Sequence, residues 1–121
     1  MSAPLWACVA LLGGCGAIGR FVLDGWVGER ARGAFPLGTL AVNLSGAFAL
    51  GLLTGLALSG DALLLAGTAT LGSYTTFSTW MLESHRLAED SELGLALLNV
   101  ALSLAAGVGA AALGRLVGAH L

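Results

Sequence analysis

The sequence has little charge and no lysine. Only 10% of its 121 residues are charged, whereas soluble domains carry about 25%. A formal net charge of -2 at pH 7 argues against a basic surface for nucleic acid or for anionic lipid. Hydrophobic residues make up 57% of the chain, and this composition predicts a membrane protein.

Cysteine is also scarce. The two cysteines, Cys8 and Cys15, would stand about 10 Å apart along one helix, which is too far for a disulfide between them. We therefore expect two free thiols. No sequence motif supports catalysis, so we do not expect an enzyme.

The sequence consists largely of long apolar runs. Each run is close to the roughly 20 residues that a helix needs to cross a bilayer. They predict a single all-α domain of four transmembrane helices with no soluble module. The approximate spans are residues 5–23, 37–58, 62–86 and 93–114.

The third span contains the stretch LGSYTTFSTW, residues 71–80, with five hydroxyl side chains and a tyrosine. Glycine, serine and β-branched threonine all weaken a helix. We expect a break at residues 72–75, near mid-membrane, where non-helical backbone is tolerated if it is buried in protein or lines a wet cavity. In the alternative, the hydroxyls bond to carbonyls one turn earlier and the helix is merely bent.

Other polar residues recur on the second and fourth spans. Asn43 is expected about 10 Å inside its helix, where it either bonds a neighbouring helix or lines a polar path. Asn99 and Ser103, four residues apart, form either a polar stripe or an interhelical hydrogen-bond pair. Because no charge stands in the interior of the later spans, the pattern suits a path for a small polar solute or ion better than a proton-coupled pump. Four short helices enclose little space alone, so we expect an oligomer.

The charged residues near the helix ends have ordinary interpretations. Arg20 would snorkel to the headgroups. Glu83 and Arg86, three residues apart, would pair on one helix face, and His85 would be interfacial.

Three motifs, in order, carry a family resemblance. GGCGAIGR (residues 13–20), PLGTLAVNLSGAFALG (residues 36–51) and GSYTTFSTWMLE (residues 72–83) resemble the Fluc (CrcB) family of fluoride channels. The resemblance implies an antiparallel, dual-topology dimer of four-helix subunits with two fluoride pores. It also implies a multi-pass location in the plasma membrane, the bacterial cell or inner membrane.

The resemblance extends to single residues. Asn43 matches the pore-lining asparagine of the family, and Phe77 matches the first of two phenylalanines whose ring edges face the ion. The second phenylalanine is replaced by Trp80, which adds an N–H donor and bulk that would narrow the pore. Gly72 and Thr75 fall where the two subunits of the family offer backbone carbonyls to a central sodium ion.

The remaining matches concern the polar track and the pore entrance. Ser78 and Thr79 would extend the track from the third span, as would Asn99 and Ser103 from the fourth. Arg20 and Glu83 match family positions at the vestibule.

We therefore expect a channel for passive fluoride efflux that relieves fluoride toxicity, with structural sodium at the centre of a homodimer. Arginine is distributed four to one between the two sides of the membrane, and this bias also admits a heterodimer with an oppositely oriented homologue. One alternative is a small multidrug exporter, but such exporters need a carboxylate in the first span, and the first acid, Asp24, follows Arg20. Another is a non-conducting membrane assembly subunit.

Overall fold

The computed structural model describes residues 1–121, and all of its regular structure is helical. The all-α prediction is confirmed. Three of the helices, the first, second and last, are long and apolar enough to cross a membrane. In chain order the elements are α1 (Ala3–Arg30), α2 (Leu37–Gly55), α3 (Gly60–Leu63), a π-helix (Leu64–Leu71), α4 (Gly72–Tyr74), α5 (Ser78–Glu89) and α6 (Leu93–Ala119).

Helix α1 extends beyond the predicted span 5–23. It begins after Ser2, whose Oγ accepts a hydrogen bond from the Leu5 N–H at 3.4 Å, as an N-cap residue does. Residues 24–30, which lie beyond the predicted span, are helical as well. In the last turn, the Arg30 guanidinium donates to the Trp26 carbonyl at 3.0 Å and lies 4.2 Å from the centroid of the Trp26 ring. The hydrogen bond gives a partner to a main-chain carbonyl near the C-terminal end of the helix, and the ring contact is a cation–π interaction.

Helix α2 packs most extensively on α6, through glycine. A Cβ at Gly51 would overlap the Ala111 carbonyl, and a Cβ at Gly114 would overlap the Phe48 carbonyl. Such small residues let the backbones of two membrane helices approach closely. Helix α2 ends before residue 58 because Ala57 adopts a left-handed conformation, and α6 continues past the predicted residue 114.

The segment from α3 to α5 is irregular in two ways. Its middle is a π-helix, in which Thr70 Oγ1 donates to the Leu65 carbonyl at 2.7 Å and the Gly72 N–H reaches the Gly67 carbonyl. Both bonds span five residues. π-helices are rare in proteins, and those that occur are often found at functional sites.

The second irregularity is the linker, residues 75–77, which separates α4 from α5 and is not helical. The sequence predicted the break at residues 72–75, but Gly72–Tyr74 form α4. Thr75 has φ -79° and ψ 160°, an extended conformation. The Thr75 hydroxyl does bond to the Leu71 carbonyl one turn earlier, at 3.0 Å. The hydroxyl-to-carbonyl bond expected for a bent helix is therefore present together with the non-helical residues 75–77.

Candidate functional site

Asn43 bridges α2 and the linker. Its Nδ2 donates to the Thr76 carbonyl at 2.8 Å, and its Oδ1 accepts from the Thr76 N–H at 2.8 Å. The Asn43 side chain thus replaces the helical partners that the N–H and C=O of Thr76 lack. Because an amide nitrogen carries two hydrogens, Nδ2 keeps one N–H for another acceptor.

This bridge explains why the linker lies three residues after the predicted start of the break. In a continuous helix the Thr76 N–H would donate to the Gly72 carbonyl, but Asn43 accepts it. In the same way the Thr79 N–H donates to Thr76 Oγ1 at 3.2 Å and not to the Thr75 carbonyl. The carbonyls of Gly72 and Thr75 therefore lack the partners that a continuous helix would supply.

An open groove of about 660 Å³ runs along α2, the π-helix and the linker. We call it the linker groove. Its wall combines the Asn43 amide and threonine hydroxyls with apolar and aromatic side chains. The residues that line it are Asn43, Gly46, Ala47, Leu50, Thr54, Leu63, Gly67, Thr68, Leu71, Gly72, Thr75, Thr76, Phe77 and Trp80.

Two aromatic rings meet at one end of the linker groove. The centroids of Phe77 and Trp80 lie 5.7 Å apart, with an interplanar angle of 83°, which is an edge-to-face arrangement. Phe77 is 70% exposed. The Trp80 indole N–H donates to the Asn99 main-chain carbonyl at 3.1 Å, so it is committed to α6.

The polar residues of α6 lie behind Trp80 and not in the wall of the linker groove. Asn99 is 1% exposed, and its Nδ2 donates to Ser84 Oγ at 2.8 Å. Ser84 Oγ donates in turn to the Trp80 carbonyl at 2.8 Å. Ser103 Oγ donates to Asn99 Oδ1 at 3.3 Å. Asn99 thus bonds a neighbouring helix, α5, whereas Ser103 bonds Asn99 within α6.

A second, much smaller cavity of about 10 Å³ lies beside the linker. A space of this size holds about one water molecule. Its wall includes a guanidinium, a carboxylate and three threonines, from Arg20, Asp24, Thr39, Thr76 and Thr79, together with Val42.

Arg20 reaches from α1 to α4, so it does more than anchor α1 at the membrane interface. Its Nε donates to the Ser73 carbonyl at 3.4 Å, one residue after Gly72. The full positive charge of the guanidinium therefore lies next to the backbone of α4.

Glu83 does not pair with Arg86 as predicted. It accepts a hydrogen bond from the Thr39 hydroxyl. On the same helix His85 Nε2 lies 2.9 Å from Glu89 Oε1, and both side chains are exposed.

The structure brings together five of the predicted site residues in the linker groove: Asn43, Gly72, Thr75, Phe77 and Trp80. Arg20 and Thr79 line the small cavity instead. Asn99 and Ser103 form the network behind Trp80. Ser78 is exposed and lines neither cavity.

Sequence reasoning missed three partners of the predicted residues. Thr76 supplies the main chain that Asn43 holds, Thr39 bonds Glu83, and Ser84 links Asn99 to α5. Helical spacing is a signal for two of them. Thr39 precedes Asn43 by one turn of α2, and Ser84 follows Trp80 by one turn of α5.

The donor set of the site suits a small anion beside a hard cation. Amide and hydroxyl hydrogens are donors for an anion, and carbonyl oxygens are ligands for a hard cation. No group of three His, Cys, Asp or Glu side chains is placed to hold a metal ion. The main-chain carbonyls of Gly72 and Thr75, which the family resemblance assigns to a cation, have no helical N–H partner.

Comparison with known proteins gives consistent matches over nearly the whole chain. The family model described as "CrcB-like protein, Camphor Resistance (CrcB)" matches residues 7–115. A protein of Mycolicibacterium paratuberculosis named fluoride-specific ion channel FluC 2 is 59% identical over 111 residues, covering 92% of this chain and 91% of the relative. A protein of Mycobacterium tuberculosis with the same name is 50% identical over 115 residues, covering 95% of this chain and 91% of the relative. One of Symbiobacterium thermophilum, named fluoride-specific ion channel FluC 1, is 40% identical over 119 residues, covering 93% and 96% respectively.

Proposed function

The chain belongs to the CrcB family, and from that membership we propose that it is a subunit of a fluoride-selective ion channel. Its similar relatives are named as fluoride-specific ion channels, which are not enzymes. Three apolar helices of sufficient length make it a multi-pass membrane protein.

The observation that carries this proposal is the Asn43 bridge at the edge of the linker groove. Fluoride is small, strongly hydrated and a strong hydrogen-bond acceptor, so a selective path replaces its water with fixed donors. Asn43 Nδ2 holds the linker with one hydrogen and has a second one free for an ion. The positive edge of the Phe77 ring adds a weak attraction that does not trap the ion.

We further propose that the linker groove becomes a closed path only in a dimer. The groove is open along its length in the single chain, and Phe77 at its end is mostly exposed. A second, antiparallel copy placed on this face would enclose it and bring two linkers together near mid-membrane. The expected partner is an identical chain, and an oppositely oriented homologue is the alternative.

Sodium at the centre of that dimer is the third part of the proposal. The carbonyls of Gly72 and Thr75 support it because Asn43 and Thr76 Oγ1 divert the N–H groups that would otherwise bond them. Two such pairs, one from each subunit, would give a hard cation an oxygen environment. When bound, the cation supplies positive charge that lowers the cost of an anion in a low-dielectric path.

The physiological role that we propose is passive efflux. Hydrogen fluoride is a neutral weak acid that crosses bilayers and ionises inside a less acidic cell. A channel in the bacterial plasma membrane lets the trapped anion leave down its gradient, which relieves fluoride toxicity.

Fluoride release from liposomes tests the proposal. The purified chain, reconstituted alone, is compared in vesicles loaded with fluoride and in vesicles loaded with chloride, each read with an ion-specific electrode. We expect rapid fluoride release without chloride release. Release of both ions would contradict selectivity, and release of neither would contradict a homomeric channel.

A further inference from the structure

Trp80 is linked to Asn99 in two ways, by a direct hydrogen bond and by hydrogen bonds through Ser84. Its indole N–H donates to the Asn99 carbonyl at 3.1 Å, and its own carbonyl accepts from Ser84 Oγ at 2.8 Å. Ser84 Oγ accepts in turn from Asn99 Nδ2 at 2.8 Å. Side chain and main chain of residue 80 are therefore both tied to residue 99.

Asn99 is well suited to hold a fixed geometry. It is 1% exposed, so a broken hydrogen bond at its amide has no water to replace it and carries the full desolvation cost. Its Oδ1 also accepts from Ser103 Oγ at 3.3 Å. Both ends of the amide are occupied, and this fixes which way the amide group points.

The same bonds decide what Trp80 presents to the linker groove. The indole N–H points to α6, so it is not free to donate to an ion in the groove. Trp80 lines the groove with its ring at 83° to the Phe77 ring. The aromatic carbon skeleton of Trp80, and not its N–H, is therefore what the side chain offers there.

We propose that Asn99 is a positioning residue that fixes the Trp80 ring against Phe77, so that the indole N–H is withheld from fluoride in the linker groove. This inference rests on the proposed fluoride path for its functional meaning. It differs from the sequence-based expectation that Trp80 adds an N–H donor to the path and that Asn99 lines it.

The direct test observes the indole itself. In the full chain carrying Trp6→Phe and Trp26→Phe, Trp80 is the single tryptophan, and ¹⁵N labelling gives one indole N–H resonance. Titration with sodium fluoride, against sodium chloride as the control, leaves this resonance within its line width if the N–H stays bonded to α6. A shift specific to fluoride would overturn the proposal.

Substitution tests whether Asn99 sets that geometry. In the single-tryptophan chain Asn99→Leu shifts the indole resonance, whereas Ala101→Leu, which puts the same side chain at an exposed position of α6, does not. Ser84→Ala keeps Asn99 but removes the Ser84 Oγ that joins Asn99 Nδ2 to the Trp80 carbonyl, so it provides a second variant if Asn99→Leu fails to fold. An unmoved resonance in Ser84→Ala and in folded Asn99→Leu would overturn the positioning role.

Fluoride release adds the functional readout. Asn99→Leu is expected to slow release about tenfold, the factor that corresponds to roughly one lost buried hydrogen bond, while Ala101→Leu retains the parent rate. Equal rates for these two variants would contradict the proposal. The resonance experiment needs no conduction, so a chain that conducts nothing on its own would contradict the homomeric fluoride channel and still leave the Trp80 geometry testable.

Discussion

At the residue scale, Asn43 has two roles, one in the structure of the linker and one in the proposed ion path. Its amide satisfies both polar groups of one residue in the linker, Thr76 N–H and C=O. It also leaves one N–H at the linker groove. The same side chain therefore stabilises the interruption and supplies a donor for the proposed ion path.

Substitution of Asn43 separates these tasks. Asn43→Leu removes both bonds to Thr76, and we expect a loss of about 1–2 kcal/mol in unfolding free energy together with loss of fluoride release. Asn43→Asp keeps the acceptor for the Thr76 N–H, but it faces the Thr76 carbonyl and the anion with negative charge. Equilibrium unfolding in mixed micelles and fluoride release from liposomes check both variants. Unchanged release in Asn43→Asp would remove Asn43 from the path.

Phe77 offers a cleaner functional test because it contributes little to the fold. Since the residue is 70% exposed, Phe77→Leu should change the unfolding free energy of the single chain by less than about 0.5 kcal/mol. Fluoride release should fall about tenfold or more, since a branched aliphatic side chain has no positive ring edge. The matched control is Phe21→Leu on α1, where the residue is 80% exposed and lies outside the groove. Equal release rates in the two variants would contradict a role for the Phe77 ring.

The chemistry of the site is more readable from the sequence than its connections are. The residue types at Asn43, Thr75 and Phe77 are by themselves enough to indicate hydrogen-bond donors and an aromatic ring in an apolar chain. Which atoms they bond depends on how helices pack. The sequence alone does not predict that Asn43 binds the main chain of Thr76, or that the Trp80 N–H is bonded to α6.

At the element scale, the broken segment and the α2–α6 pair have opposite roles. Helices α2 and α6 are continuous and meet through glycines whose Cβ positions are occupied by the backbone of the partner helix. The segment from α3 to α5 gives up regular hydrogen bonds in its π-helix and its linker. The π-helix and α4 pack mainly on α1, and α5 packs on α6, so the irregular segment that carries the candidate ion ligands is held by both long terminal helices.

A single methyl group tests the α2–α6 contact. Gly114→Ala places a Cβ against the Phe48 carbonyl, and we expect the helices to separate at a cost of about 1–3 kcal/mol in unfolding free energy. Gly109→Ala lies on the same helix and meets no atom within 4 Å, so it should be neutral or slightly stabilising. Equilibrium unfolding in mixed micelles compares the two. Equal stability would show that the close approach is unimportant.

Helix type and approximate position follow from the sequence, whereas the helix ends and the π-helix do not. Apolar runs predict α1, α2 and α6 because length and hydropathy alone decide whether a helix crosses a bilayer. The extension of α1 to Arg30 depends on a contact with Trp26. The π-helix Leu64–Leu71 shifts the hydrogen-bond register by one residue, and no residue type encodes that shift uniquely.

At the scale of the whole molecule, most of the surface is apolar and little of the chain is buried. Only 14 of 121 residues are buried, and large apolar side chains of α1 and α6 lie outside. Lipid and a partner subunit are the environments that accept such a surface. The linker groove carries the Asn43 amide in this apolar surface, and the dimer contact that we propose lies there.

Dual topology of that dimer is testable by labelling. Starting from a chain with Cys8→Ser and Cys15→Ser, Leu121→Cys probes the terminal side and Ala34→Cys probes the opposite side. If the subunits insert both ways, an impermeant maleimide added to intact cells labels about half of each variant, despite the four-to-one arginine bias. Full labelling of one variant and none of the other would establish a single orientation and require an oppositely oriented partner chain.

The most direct test of the central claim is the reversal potential of the purified chain in a planar bilayer with sodium fluoride on one side and sodium chloride on the other. A fluoride-selective channel predicts current carried by fluoride and a reversal potential displaced far from zero in the direction that opposes fluoride flow. A reversal potential near zero, with both anions carrying current, would contradict the account.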